Sequence, residues 1–196
     1  NFLHCFEADV VKPVAFVLAG VLLCTLPVLA AAESSPPLTH GPFVGHVTHD
    51  AATVWARCAA PGEYELTARS IDEGATHAAV ASARAATDLC VVWRLDRLRP
   101  HTKYVYEIRS PQNRSTDAAG QEFWTAPRRD EPTVATLAFG SCAREEAGSS
   151  GVWTQMAADD PDVVVLLGDT PYIDSTDLAR QRTRYQQFAE VEAFAQ

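Results

Sequence analysis

The sequence has no block of lysine or arginine. Its 16 basic residues are scattered among 25 acidic ones, and the net charge is −9 at neutral pH. Nucleic-acid backbones are held by clustered cations, so this acidic chain offers no nucleic-acid-binding patch. No global positive field draws in an anionic substrate either. A phosphate would need a bound cation or a local cluster. Disorder throughout is ruled out by composition, with 47% apolar residues and 21% charged. No internal repeat is present. Ser149 and Ser150 lack the Gly-x-Ser-x-Gly pattern of a serine hydrolase elbow. A cysteine phosphatase needs Arg six residues after its nucleophile, and after Cys142 that position is Gly148.

The first residue is Asn1, and no twin-arginine pair precedes the apolar run at residues 13–29. Lys12 stands before that run and Ala30, Ala31 and Ala32 follow it. A basic residue, an apolar core and small residues at the end describe a secretory signal peptide, residues 1–32. The alternative is a membrane anchor. The run barely reaches the roughly 20 residues a span requires, and Gly20 and Pro27 interrupt it. The expectation is export to the periplasm, the cell surface or the medium, with no stable membrane span after cleavage. Of five cysteines, Cys58, Cys90 and Cys142 would remain. In an oxidising compartment Cys58 and Cys90, both in the β-rich first half, are the natural disulfide pair, leaving Cys142 free. The alternative is that all three are buried small hydrophobes.

Residues 33–40 read as a Ser/Pro linker. Period-two alternation then predicts strands at residues 43–48, 52–58, 64–69, 89–95, 103–109 and 123–125, with residues 78–86 ambiguous. Short strands at regular spacing predict an all-β sandwich over residues 41–126. Within it, Leu98-Arg99-Pro100-His101-Thr102-Lys103-Tyr104 looks like the corner of a fibronectin type III-like domain. There a Leu plugs the core and a Tyr hydroxyl bonds back across the corner. Trp55, Trp93 and Trp124 are read as core aromatics rather than a stacking platform. His40, His46 and His49 invite a zinc reading, but His46 and His49 sit an odd number of residues apart in a strand-like stretch and so face opposite sides, which argues against it.

Residues 127–132 are polar and bracketed by prolines, and they read as a second linker. Beyond them, at residues 133–196, the pattern changes. Two apolar runs, residues 134–139 and 163–167, predict parallel strands buried on both faces. A Gly/Ser loop at residues 147–151 and a short helix capped by Ser150 separate them, and a helix capped by Ser175-Thr176 follows. Two strands and two helices are too few to close a core, which predicts the opening part of a larger, truncated α/β domain.

The chemistry lies at the ends of these runs. The first ends in Gly140-Ser141-Cys142 and the second in Gly168-Asp169-Thr170-Pro171-Tyr172. In an open parallel sheet, chemistry sits beyond the carboxyl ends of the strands. Neighbouring strands lie about 4.8 Å apart, so Cys142, Asp169 and Tyr172 would converge. A thiol, a carboxylate and a phenol together suit a highly charged transition metal. Taken alone, each has a plainer reading, as a packed cysteine, a strand-end turn and a half-buried aromatic.

With Phe139-Gly140-Ser141-Cys142, Trp153 and residues 161–174 in this order after a sandwich, the chain resembles the alkaline phosphatase D (PhoD-like) metallophosphoesterase family. The resemblance covers about residues 41–196. It implies Cys142 as thiolate ligand, Asp169 as metal-bridging carboxylate and Tyr172 as phenolate ligand, with Asp174 behind them or merely in the turn. It implies ferric iron and calcium as cofactors, and a small-molecule or polymeric phosphate mono- or diester as substrate. A two-metal site needs further Asn, His and Asp ligands, so the chain by itself is expected to be inactive. The alternative expectation is an exported β-sandwich interaction module with a non-catalytic α/β appendage.

Overall fold

The computed structural model describes residues 38–110, 120–144 and 147–195. The expected signal peptide and residues 33–37 of the expected linker lie outside the described residues. Seven strands build two antiparallel sheets. β1 (Leu38–Gly45), β2 (Ala51–Cys58) and β5 (Cys90–Asp96) form one, in the order β1-β2-β5. β3 (Gly62–Ser70), β4 (Thr76–Ala83), β6 (Lys103–Arg109) and β7 (Gln121–Trp124) form the other, in the order β4-β3-β6-β7.

Alternation along each strand sends one side chain in two to the space between the sheets. Val54, Ala56 and Cys58 of β2 meet Tyr64 and Leu66 of β3 there, with Trp93 of β5 and Tyr104, Tyr106 and Ile108 of β6. Trp93 fills the centre at 1% exposure, and its indole N–H donates to the Tyr64 carbonyl at 2.9 Å. The other two tryptophans depart from the core expectation. Trp55 stands on the outer face and stacks on Phe43, with centroids 5.7 Å apart. Trp124 is 56% exposed beside Lys103.

The corner before β6 forms as expected. Leu98 is buried, and the Tyr104 hydroxyl accepts the Arg99 N–H at 2.9 Å. Thr125 reinforces it from the other side. Its hydroxyl donates to the Arg99 carbonyl at 2.5 Å and accepts the Thr102 N–H at 2.9 Å. Tyr104→Phe keeps the buried ring and removes the bond across the corner. It should cost about 1–2 kcal/mol, read as a lowered urea midpoint.

β1 begins earlier than expected, at Leu38, inside the stretch read as linker. Its pairing with β2 shifts register between Leu38 and Phe43. Gly41 sits in that bulge at φ +79°, where an added Cβ would lie 3.1 Å from the Trp55 carbonyl oxygen. Only glycine fits so close an approach at a positive φ. The strand also ends earlier, at Gly45. The Thr48 hydroxyl accepts the Ala51 N–H at 2.9 Å and bonds Asp50 Oδ1 at 2.9 Å. These side chains offer the backbone a turn in place of the ladder. His46 and His49 therefore lie outside any strand.

The Cys58–Cys90 disulfide is not formed, since both thiols are free. The register explains it. Cys90 pairs with Arg57, one residue from Cys58, so the two cysteines point to opposite faces of the same sheet. Cys58 faces the core, and burial pushes its thiol up to about 12. A thiol so held is a packed hydrophobe with little nucleophilic character.

Residues 125–136 carry no helix or strand. After them β8 (Leu137–Gly140) and β9 (Val163–Leu166) pair in parallel, with α1 (Ala147–Ala158) between them in sequence. Asp162 ties their starts together, its Oδ2 accepting the Thr136 N–H at 2.7 Å. The Gly/Ser stretch read as a loop is the first turn of α1, and Ser150 lies inside the helix rather than at its cap. Packing overrides the poor propensity of those residues. Trp153 is buried against Phe188 and Phe194.

The expected burial of both strand faces is not met among the described residues. β9 side chains remain 38–48% exposed and Phe139 of β8 is 70% exposed. One helix cannot cover two faces of a sheet. The last helix is also divided, into α2 (Leu178–Ala189) and α3 (Glu192–Ala195). Its cap is Asp177, whose carboxylate accepts the Arg180 N–H at 2.7 Å. Among the expected apolar side chains of that helix, Phe188 is buried, while Leu178 and Tyr185 are exposed.

Candidate metal centre

β8 and β9 run side by side in register, from Leu137 opposite Val163 to Gly140 opposite Leu166. The ladder continues past both strands. Leu167 N–H reaches the Gly140 carbonyl at 2.8 Å, and Cys142 N–H reaches the Gly168 carbonyl at 3.2 Å. Both chains then turn away at the same level. Gly168 takes φ +120°, Asp169 +54° and Cys142 +58°. Positive φ is uncommon for residues other than glycine, and such backbones persist only where the surroundings impose them. Two of the three sequence-predicted donors, Cys142 and Asp169, occupy such positions.

The three predicted side chains come together on Asp169 Oδ2. The Cys142 thiol lies 3.7 Å from that oxygen and the Tyr172 hydroxyl 3.3 Å from it, each as a donor. Cys142 and Asp169 are exposed and Tyr172 is half-buried. The Tyr172 phenol is pushed up to about 12, first by its hydrogen bond with Cys142, then by desolvation and the Asp169 charge. Anionic donors crowded this closely oppose ionisation of the phenol, and a cation among them would reverse that pressure.

Two arginines complete the surroundings, and the sequence reading named neither. The Arg144 guanidinium lies over the Tyr172 ring, 4.9 Å from its centroid. Its signal was faint: a basic residue two positions after Cys142 in an acidic chain. Arg184 of α2 grips the other side of Tyr172, donating to its main-chain carbonyl through Nε at 3.3 Å and Nη2 at 3.2 Å. Nothing in its sequence context marks it, because the contact exists only once α2 has docked.

α2 docks on the sandwich through polar contacts beside an aromatic cluster. Arg182 donates to the Ala86 carbonyl at 2.9 Å, and Gln186 Nε2 donates to Asp88 Oδ2 at 2.8 Å. Asp88 also takes a forked contact from Arg57, at 3.1 and 3.3 Å. Phe194 of α3 meets Phe43 of β1, with centroids 5.6 Å apart. Hydrogen bonds from Arg57, above all, hold the Asp88 carboxyl below its usual range. Gln186 and the Arg182 charge add to this against the opposing effect of burial.

A depressed carboxyl pKa stabilises the fold fully above the unfolded value, about 3.9. That contribution is lost as pH falls through the lowered folded value. Urea midpoints measured from pH 6 down to pH 2 should therefore fall at the acid end. In Asp88→Asn the midpoint should start lower and fall less steeply over the same interval.

Asp174 is exposed in the turn before α2, at φ +50°. Among the described residues no hydrogen bond joins it to the three donors. No group of three or more His, Cys, Asp or Glu side chains that could hold a metal gathers among the described residues, and Cys142 and Asp169 supply only two here. No described helix is long and apolar enough to cross a membrane.

A solved structure of PhoD superposes with a TM-score of 0.70 at 19% identity, over 83% of this chain and 37% of that one. This chain thus spans little more than a third of the PhoD chain. The sensor domain of the anti-sigma factor RsgI4 from Pseudobacteroides cellulosolvens aligns with a TM-score of 0.37 at 15% identity. That alignment takes in 48% of this chain and all of the other. The fn3 domain of human collagen alpha-1(XX) aligns with a TM-score of 0.38 at 20% identity, over 51% of this chain and 88% of that one. No curated protein matches the chain. The model of the PhoD-like phosphatase N-terminal domain matches residues 24–127, just over half of the sequence, and the chain belongs to the PhoD-like phosphatase family.

Proposed function

We propose that the chain is part of an exported, metal-dependent phosphatase or phosphodiesterase, in which Cys142, Asp169 and Tyr172 hold a ferric ion. The observation that carries this is the approach of a thiol and a phenol to one carboxylate oxygen, at 3.7 and 3.3 Å. The donor set fits ferric iron, because thiolate and phenolate donate electron density strongly to the higher oxidation state. It does not fit calcium, which takes six to eight oxygen ligands. The described residues gather no such group. When bound, the ferric ion would polarise a phosphoryl oxygen and lower the pKa of a coordinated water.

The chain's own residues have separate tasks in this reading. Cys142, Tyr172 and Asp169 would hold the ion through a thiolate, a phenolate and a carboxylate. Cys142 and Asp169 both stand at positive φ just past the ends of β8 and β9. Arg144, beside them, supplies local positive charge in a chain of net charge −9.

The sandwich is proposed to be fibronectin type III-like. Its three-plus-four strand order and the Tyr104 corner support this. Residues 133–196 are proposed as the opening part of the metallophosphoesterase domain, on the strength of the parallel β8–β9 pair.

The 196-residue polypeptide is expected to bind ferric iron in a one-to-one ratio, measured by metal analysis after gel filtration. It should release no chromophore from p-nitrophenyl phosphate or bis-p-nitrophenyl phosphate, since three donors do not complete a two-metal centre. Turnover by this polypeptide would refute the inactivity. Failure to retain iron would refute the donor assignment and favour a β-sandwich binding module.

A further inference from the structure

We infer that Arg184 is a positioning residue for Tyr172, and that the sandwich sets the place of this side chain through helix α2. The inference rests on the reading of Tyr172 as a ligand, and it adds what holds that ligand in place. Tyr172 lies in a turn without helix or strand, so no ladder fixes its backbone. Arg184 supplies the missing restraint. Its Nε and Nη2 fork onto the Tyr172 carbonyl at 3.3 and 3.2 Å, while its Nη1 donates to Gln187 Oε1 at 3.1 Å. A planar guanidinium engaged at three nitrogens has little freedom to swing, so the carbonyl is held in direction as well as distance.

The restraint runs back to the sandwich along α2. Arg182, two residues before Arg184, bonds the Ala86 carbonyl. Gln186, two residues after it, bonds Asp88, and Arg57 of β2 holds Asp88 in turn. Arg184 is thus bracketed by two anchors on the turn that precedes β5. If those anchors move, α2 moves, and the Tyr172 carbonyl moves with it. The phenol would then leave the Asp169 oxygen it now meets at 3.3 Å. A displacement of about 1 Å is enough to spoil a ligand site.

The test is fluorine NMR on the full chain without metal, with 3-fluorotyrosine placed at position 172 alone. Arg184→Ala should shift and broaden the resonance as the side chain samples several places. Arg184→Lys, which retains one donor, should restore part of the shift. Asp88→Asn, whose carboxyl makes no hydrogen bond to Tyr172, should shift the resonance in the same direction by less. Ile108→Val in the sandwich core lowers stability without touching α2 and should leave the resonance unmoved. An unchanged resonance in Arg184→Ala would overturn the inference. So would an equal shift in Ile108→Val, which would make the effect one of general stability. These signals need no metal, so they stand apart from the assignment of Tyr172 as a ligand, which fails instead if iron is not retained.

Discussion

Tyr172→Phe is expected to remove the phenolate band from the visible spectrum of the ferric-loaded chain while leaving its fold intact. A phenolate bound to ferric iron absorbs visible light by charge transfer from the ring oxygen to the metal, and phenylalanine has no oxygen to supply. Tyr172 is half-buried and, among the described residues, its hydroxyl meets only Asp169 and Cys142, so the ring can remain where it is. Tyr185→Phe is the control, since Tyr185 is 57% exposed on α2. It should keep the colour of the parent chain. Equal absorbance in Tyr172→Phe and the parent would remove Tyr172 from the donor set. A thiolate charge-transfer band can also absorb in the visible, so the spectrum is read as a difference between the two proteins.

The second large effect is on stability. Trp93→Ala should cost about 3–5 kcal/mol, as for other large aromatic truncations in a core. That is a large part of the 5–15 kcal/mol typical of a folded domain. Trp93 is the largest of the fully buried side chains, and its loss also leaves the Tyr64 carbonyl without its indole partner. Trp93→Phe keeps an aromatic ring and loses the hydrogen bond, so it should fall between Trp93→Ala and the parent in urea midpoint. Trp124→Ala, at a ring 56% exposed, should change the midpoint little.

Much of the sandwich was legible because its strands alternate cleanly. Residues 103–109 were predicted as a strand and form β6 with those bounds. Tyr104 announced the corner through the Leu98 and Pro100 ahead of it. What alternation cannot show is parity between strands. Cys58 and Cys90 each sit in a strand, but only the pairing of Cys90 with Arg57 reveals that they face opposite ways. The Gly/Ser stretch at residues 147–151 misled for another reason. Its local preference is for a loop, and the helix forms because Trp153 is buried against Phe188 and Phe194, residues far along the chain. Of the candidate site, the meeting of Cys142, Asp169 and Tyr172 could be read from two strand ends and a short loop. Arg184 could not, because its role depends on a helix docking against a domain encoded nearly a hundred residues earlier.

X-ray absorption at the iron edge of the ferric-loaded chain tests the central claim most directly. The account predicts a sulfur scatterer in the iron's first shell that disappears in Cys142→Ser, with oxygen scatterers remaining. A first shell of oxygen and nitrogen alone in the parent chain, unchanged by Cys142→Ser, would contradict it.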